Sequence, residues 1–132
     1  MLKLESQLPE KIESLATSFV DAVFKVHCNL GPGLLESIYE TCLARELGKR
    51  SVKFQTQVPM PVVYDGEKID CGFRLDMLLE DKIIVEIKVV EEVLPVHKAQ
   101  ILTYLKITNL HLGFLINFNV PIIKNGIQRI VR

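Results

Sequence analysis

The sequence predicts an α/β (α+β) fold, a mixed β-sheet flanked by helices in the order helix, helix, three strands, helix, strand and C-terminal β-hairpin. Three observations carry that prediction. Apolar residues recur at helical spacing from about Pro9 to Cys28. Two apolar runs around Arg74 to Leu79 and Ile83 to Val90 alternate with period two across a short charged turn. A helical segment opening at Pro95 then leads into another apolar strand, so it serves as a crossover.

The first helix presents Ile12, Leu15, Phe19, Val23 and Val26 as one stripe, broadened by Phe24, and so must pack against something. Gly31-Pro32-Gly33 breaks it. A second helix runs from about Leu34 to Leu47, with Gly48 as its C-terminal glycine and Leu35, Ile38, Cys42 and Leu43 as its buried face. Beyond Arg50 the pattern is extended. Phe54 to Tyr64 contains Pro59 and Pro61, which remove ladder donors and place this segment at an edge or a bend. Asp65-Gly66 is a two-residue hairpin turn leading to a strand from about Lys68 to Leu79, and Ile83 to Val90 follows as the next strand. The crossover helix spans about Pro95 to Ile107, and Leu110 to Asn117 is a strand. Asn125-Gly126 then folds Pro121 to Lys124 against Ile127 to Val131.

A chain of 132 residues is long enough for one core and predicts a single domain over 1–132. Sixteen basic residues balance sixteen acidic ones, so net charge announces no polyanionic partner. The distribution is less even. Residues 51–87 carry four basic and seven acidic groups, and residues 88–132 carry six basic and two acidic, a locally basic C-terminal third compatible with a phosphate backbone. The N-terminus carries Lys3, Glu5, Glu10 and Lys11, and no apolar run approaches the roughly 20 residues of a spanning helix, so no signal peptide or membrane contact is expected. Cys28, Cys42 and Cys71 are odd in number and far apart, which predicts reduced thiols and a cytoplasmic location. His27, His97 and His111 form no zinc-ligand spacing with them.

Charged residues sit in unexpected places on the two central strands. Ile83, Val85, Ile87 and Val89 form one apolar row, and the opposite row holds Ile84, Glu86, Lys88 and Val90. On the preceding strand Arg74, Asp76 and Leu78 share a face. Matching the polar faces sets Asp76 across from Glu86, which needs a turn of odd length, most simply Glu80-Asp81-Lys82, or a bulge. Two carboxylates held that close repel unless a cation lies between them, and an oxygen-only ligand set suits Mg²⁺ or Mn²⁺.

An acid on a helix, then Asp76, then Glu86-Ile87-Lys88, then a helix with Gln100: this ordered set resembles the PD-(D/E)xK nuclease superfamily. Gly33-Leu34-Leu35-Glu36-Ser37-Ile38-Tyr39 resembles the signature of its GxxExxY family. The resemblance covers about Leu15 to Asn117 and departs in having Leu75, not proline, before Asp76, a proline that many members lack. It implies a restriction-endonuclease-like core in which Glu36, Asp76, Glu86 and the carbonyl of Ile87 hold Mg²⁺ or Mn²⁺, and Lys88 orients or deprotonates water. It also implies that Tyr39, Gln100 and Tyr104 meet the substrate, with Gln100 supporting the site as well. The partner it implies is nucleic acid, DNA ahead of RNA, with a homodimer or partner protein supplying the grip that a neutral chain of this size lacks.

Each residue alone has a plainer explanation: Glu86 and Lys88 as a surface pair, Glu36 as a first-turn acid, Gln100 and Tyr104 as polar positions on an amphipathic helix. The competing reading of the whole is a nuclease-fold module, weakly active or inactive, that binds nucleic acid or protein.

Overall fold

A computed structural model describes residues 8–70 and 73–132. The first helix, α1 (Glu10–Leu30), buries Ala16, Phe19, Ala22, Val23 and Val26; Phe19, Val23 and Val26 of the expected stripe are thus interior, Ile12 and Leu15 are half-buried against the core, and Phe24, expected to broaden the stripe, is exposed. Gly31 and Gly33 both take left-handed φ angles and turn the chain into α2 (Glu36–Lys49).

Here two expectations are corrected. The helix runs through Gly48, because the Arg50 N–H still bonds to the Glu46 carbonyl and the Arg50 guanidinium pairs with the Glu46 carboxylate at 2.6 Å; Ser51 takes the left-handed conformation instead. The buried face is also rotated. Tyr39, Leu43, Glu46 and Leu47 point inward, and Leu35 and Ile38 are exposed. Tyr39 turns the balance: its ring stacks on Phe118 with centroids 4.2 Å apart, and its hydroxyl donates to the Gly31 carbonyl at 2.6 Å. A buried tyrosine whose polar tip finds a partner behaves as a large apolar residue.

Extended structure begins with β1 (Phe54–Pro59), then a hairpin of β2 (Val62–Tyr64) and β3 (Glu67–Ile69) around Asp65 and Gly66, both left-handed as a tight turn of this kind demands. The strand expected over Lys68 to Leu79 is two strands. β3 pairs only with β2, and β4 (Arg74–Leu79) pairs with β1 in the main sheet. Cys71 lies outside the described residues.

β4 turns back into β5 (Ile83–Lys88), α3 (Pro95–Thr108) crosses over, and β6 (Leu112–Asn117) lies parallel to β5. The sheet closes with β7 (Ile127–Val131), antiparallel to β6, in the spatial order β1-β4-β5-β6-β7. This is the mixed sheet flanked by helices that the sequence predicts, with the proline-bearing β1 on an edge. One face, with Met77, Leu79, Ile83, Val85 and Ile87, is buried under α1 and α2; Phe19 of α1 meets Phe114 with ring centroids 5.2 Å apart. The other face, with Leu75, Ile84 and Leu115, is covered by Ile101, Tyr104 and Leu105 of α3.

The C-terminal hairpin is corrected as well. Ile123–Gly126 is a turn of 3-10 helix, and the partner of β7 is β6. A Cβ on Gly126 would stand 2.1 Å from the Asn117 carbonyl oxygen, so this glycine serves a close backbone approach, not a hairpin turn. Gly126→Ala is therefore expected to destabilise the fold by about 2 to 3 kcal/mol in urea unfolding, since the clash is with backbone that cannot swing aside.

Candidate active site

The site originates in a turn. Glu80 and Asp81 both adopt left-handed backbone conformations, and the Lys82 N–H donates to the Leu79 carbonyl at 2.8 Å, giving the three-residue turn that the charge pattern requires. The register that follows is Leu79 with Ile83, Leu78 with Ile84 and Met77 with Val85, which carries on to Asp76 opposite Glu86.

At that point side chains replace the main-chain ladder. The Asp76 N–H donates to Glu86 Oε2 at 3.0 Å, and the Ile87 N–H donates to Asp76 Oδ2 at 2.8 Å. Each carboxylate is aimed through one of its oxygens by the other strand's backbone. Beside them lies a hollow of about 430 Å³ lined by Glu36, Ser37 and Glu40 of α2, Gln57 of β1, Asp76 and Ile87.

The charges in this hollow are unbalanced. Glu86 is buried, and desolvation pushes its carboxyl up to about 8; repulsion from Asp76 and, more weakly, Glu36 adds to this, and the Asp76 N–H and the Lys88 ammonium oppose it. Burial also raises Glu40, with Asp76 and Glu36 pushing the same way against the hydrogen bond from Gln57. Lys88 is two residues beyond Glu86 on β5, half-buried, and among the described residues no carboxylate lies within ion-pair distance of its ammonium.

Among the described residues no group of three or more His, Cys, Asp or Glu is gathered tightly enough to enclose an ion. A hard cation does not need such a cage. Mg²⁺ keeps several waters and binds through one or two carboxylates, so Asp76 and Glu86 with the Ile87 carbonyl form a donor set that fits it, and Glu36 and Glu40 line the same hollow as Asp76 and Ile87.

The remaining expected site residues are scattered. Gln100 is half-buried on α3 and is not part of the hollow's lining. Neither tyrosine expected at the substrate lines the hollow: Tyr39 is wholly buried beneath α2, and Tyr104 is buried between α3 and the sheet, edge-on to Phe73 at 6.1 Å. Their rings pack the core because each fills the apolar position one turn from Leu43 or Ile101. His27 is also interior, with Nε2 2.8 Å from the Val120 carbonyl.

Three residues escaped the sequence reading. Glu40 could have been found, since it is four residues after Glu36 on one helix face, a like-charge spacing that weakens a helix and so asks for a reason. Gln57 gave no signal. Nor did Asn117, whose buried amide pins the segment after Lys88: Nδ2 donates to the Val90 carbonyl at 2.9 Å and Oδ1 accepts from the Val90 N–H at 3.2 Å.

Compared with known proteins, residues 13–130 match the family model of the PD-(D/E)XK nuclease superfamily, from α1 into β7. No curated protein and no solved structure matches.

Proposed function

Since the chain belongs to the PD-(D/E)XK nuclease superfamily, we propose that it is a divalent-metal-dependent phosphodiesterase that hydrolyses nucleic acid, DNA ahead of RNA, and that it falls within the GxxExxY group. The observation that carries this reading is the reciprocal bonding of Asp76 and Glu86 across β4 and β5, which joins a buried carboxylate to one that lines a hollow shared with Glu36 and Glu40, with Lys88 two residues along β5. A surface ion pair would leave neither carboxylate buried and would pair Lys88 with one of them.

Asp76, Glu86 and the Ile87 carbonyl would hold Mg²⁺ or Mn²⁺, with Glu36 reaching in from the first turn of α2. When bound, the ion supplies Lewis acidity toward a phosphate and makes nearby water more acidic. The chain's own residues do the rest. Backbone N–H groups of Asp76 and Ile87 orient the carboxylates before substrate arrives, which spares reorganisation later. Lys88 places its Nζ to hold the attacking water, take its proton, or offset charge growing on the phosphate. The strand end that carries Lys88 is held by the Phe118 N–H, which donates to the Lys88 carbonyl at 3.0 Å. A neutral chain gains its hold on a duplex from a second copy or a partner protein, with the basic C-terminal third contributing.

Calorimetry with Mn²⁺ is the first test. Wild type should bind, and Asp76→Ala or Glu86→Ala should abolish binding while the fold is retained; equal affinity in either variant would reduce the carboxylates to a structural pair. Cleavage is then assayed on single- and double-stranded DNA and RNA.

A further inference from the structure

Gln57 sits in the middle of β1, between the pairs Thr56 with Met77 and Val58 with Leu75, so it stands opposite Asp76. Its φ is 52°, in the left-handed region that is unfavourable for a residue with a long side chain. A kink of this sort in an edge strand re-aims a side chain. Here it turns the carboxamide into the hollow, where Nε2 donates to Glu40 Oε1 of α2 at 2.8 Å and reaches Asp76 Oδ1 at 3.5 Å. The Gln57 carbonyl, on the other side of the kink, accepts from Arg74 Nη1 at 3.4 Å.

The choice of side chain is informative. Carboxylates from α2 and β4 that share one hollow repel each other. A lysine at this point would neutralise them and compete with a cation, and an acid would add to the repulsion. A carboxamide has two N–H donors and no charge, so it can hold both carboxylates without displacing an ion that binds them.

We propose that Gln57 is a positioning residue of the phosphodiesterase site, bridging Glu40 and Asp76 so that Asp76 meets the incoming divalent cation already oriented and Glu40 faces the cation's water. This rests on the metal-dependent reading of the site. The strained backbone supplies a clean test, because glycine adopts the same conformation freely while removing the amide. Gln57→Gly should leave the melting temperature at or near that of wild type and weaken Mn²⁺ binding in calorimetry by about tenfold to a hundredfold, the scale for losing a group that orients a ligand. The Mn²⁺ concentration giving half-maximal cleavage should rise by the same factor, with the rate recovering at saturating Mn²⁺. Gln57→Asn, which tolerates a left-handed backbone but is one methylene short, should move in the same direction. Wild-type Mn²⁺ affinity in folded Gln57→Gly, or a lowered melting temperature with affinity unchanged, would overturn the proposal and make Gln57 a structural strut. If wild type and Asp76→Ala alike bind no Mn²⁺, the phosphodiesterase reading itself falls, and this proposal with it.

Discussion

Lys88→Ala is expected to lower nucleic-acid cleavage by about a hundredfold or more while leaving Mn²⁺ binding and folding nearly intact. The reason lies in what surrounds the ammonium. Among the described residues it has no carboxylate within ion-pair distance, so its removal breaks no salt bridge, and the backbone carbonyl that fixes its strand end remains. Its charge acts on Glu86 and on whatever enters the hollow beside Asp76. Arginine should rescue poorly, since its planar, permanently charged head can neither take a proton nor occupy the same compact position. A lysine doing no more than shielding Glu86 would behave differently: either substitution would shift stability by at most about 1 kcal/mol and leave the rate alone. Metal bound at Asp76 and Glu86, with wild type and Lys88→Ala equally inert toward DNA and RNA, would establish the chain as a binding module on a nuclease fold.

The second large effect is on pH. Glu86 must ionise to hold a cation, and burial beside Asp76 has raised its carboxyl to about 8. Mn²⁺ affinity should therefore fall by about tenfold for each pH unit below 8, about a hundredfold between pH 8 and 6, and level off above. Binding at pH 6 to 7 should release close to one proton, read from calorimetry in buffers of different ionisation enthalpy.

The sign for stability runs the other way. A carboxyl raised in the folded state contributes fully below its unfolded value, and its contribution is lost as pH rises toward 8, because the folded chain then holds a proton that the unfolded chain has released. The ion-free protein should lose up to about 1.4 kcal/mol per pH unit over that interval from this group, and Glu86→Gln should flatten the profile. An Mn²⁺ affinity that does not change between pH 6 and 8 would show that Glu86 is not the group being titrated.

What could be read from the chain alone is what strand and helix periods dictate. The row Ile83, Val85, Ile87 is apolar at every second residue, so it had to face a helix, and it lies under α1 and α2. Placing Glu86 and Asp76 on matching faces then demanded an odd turn, and Glu80-Asp81-Lys82 supplies it, because a one-residue slip would have put a carboxylate among the core side chains. The crossover helix and its parallel strand followed from length and order, and the resemblance of the ordered set Glu36, Asp76, Glu86, Lys88 and Gln100 to the superfamily agrees with the family model that the chain matches.

Tertiary structure decided the rest, wherever a residue's role depends on a partner that local periodicity does not specify. Tyr39 turned inward because Phe118, far along the chain, offers a ring to stack on and Gly31 a carbonyl to receive its hydroxyl. Gly126 is required by an oxygen of Asn117, not by a turn. Glu40 and Gln57 join the site because α2 and β1 bring them to the same hollow as Asp76, through a left-handed peptide in a strand that alternation alone would draw straight. Alternation along a chain states which face a side chain takes; which polar groups meet across that face is settled only when the elements pack and each buried donor must find its acceptor.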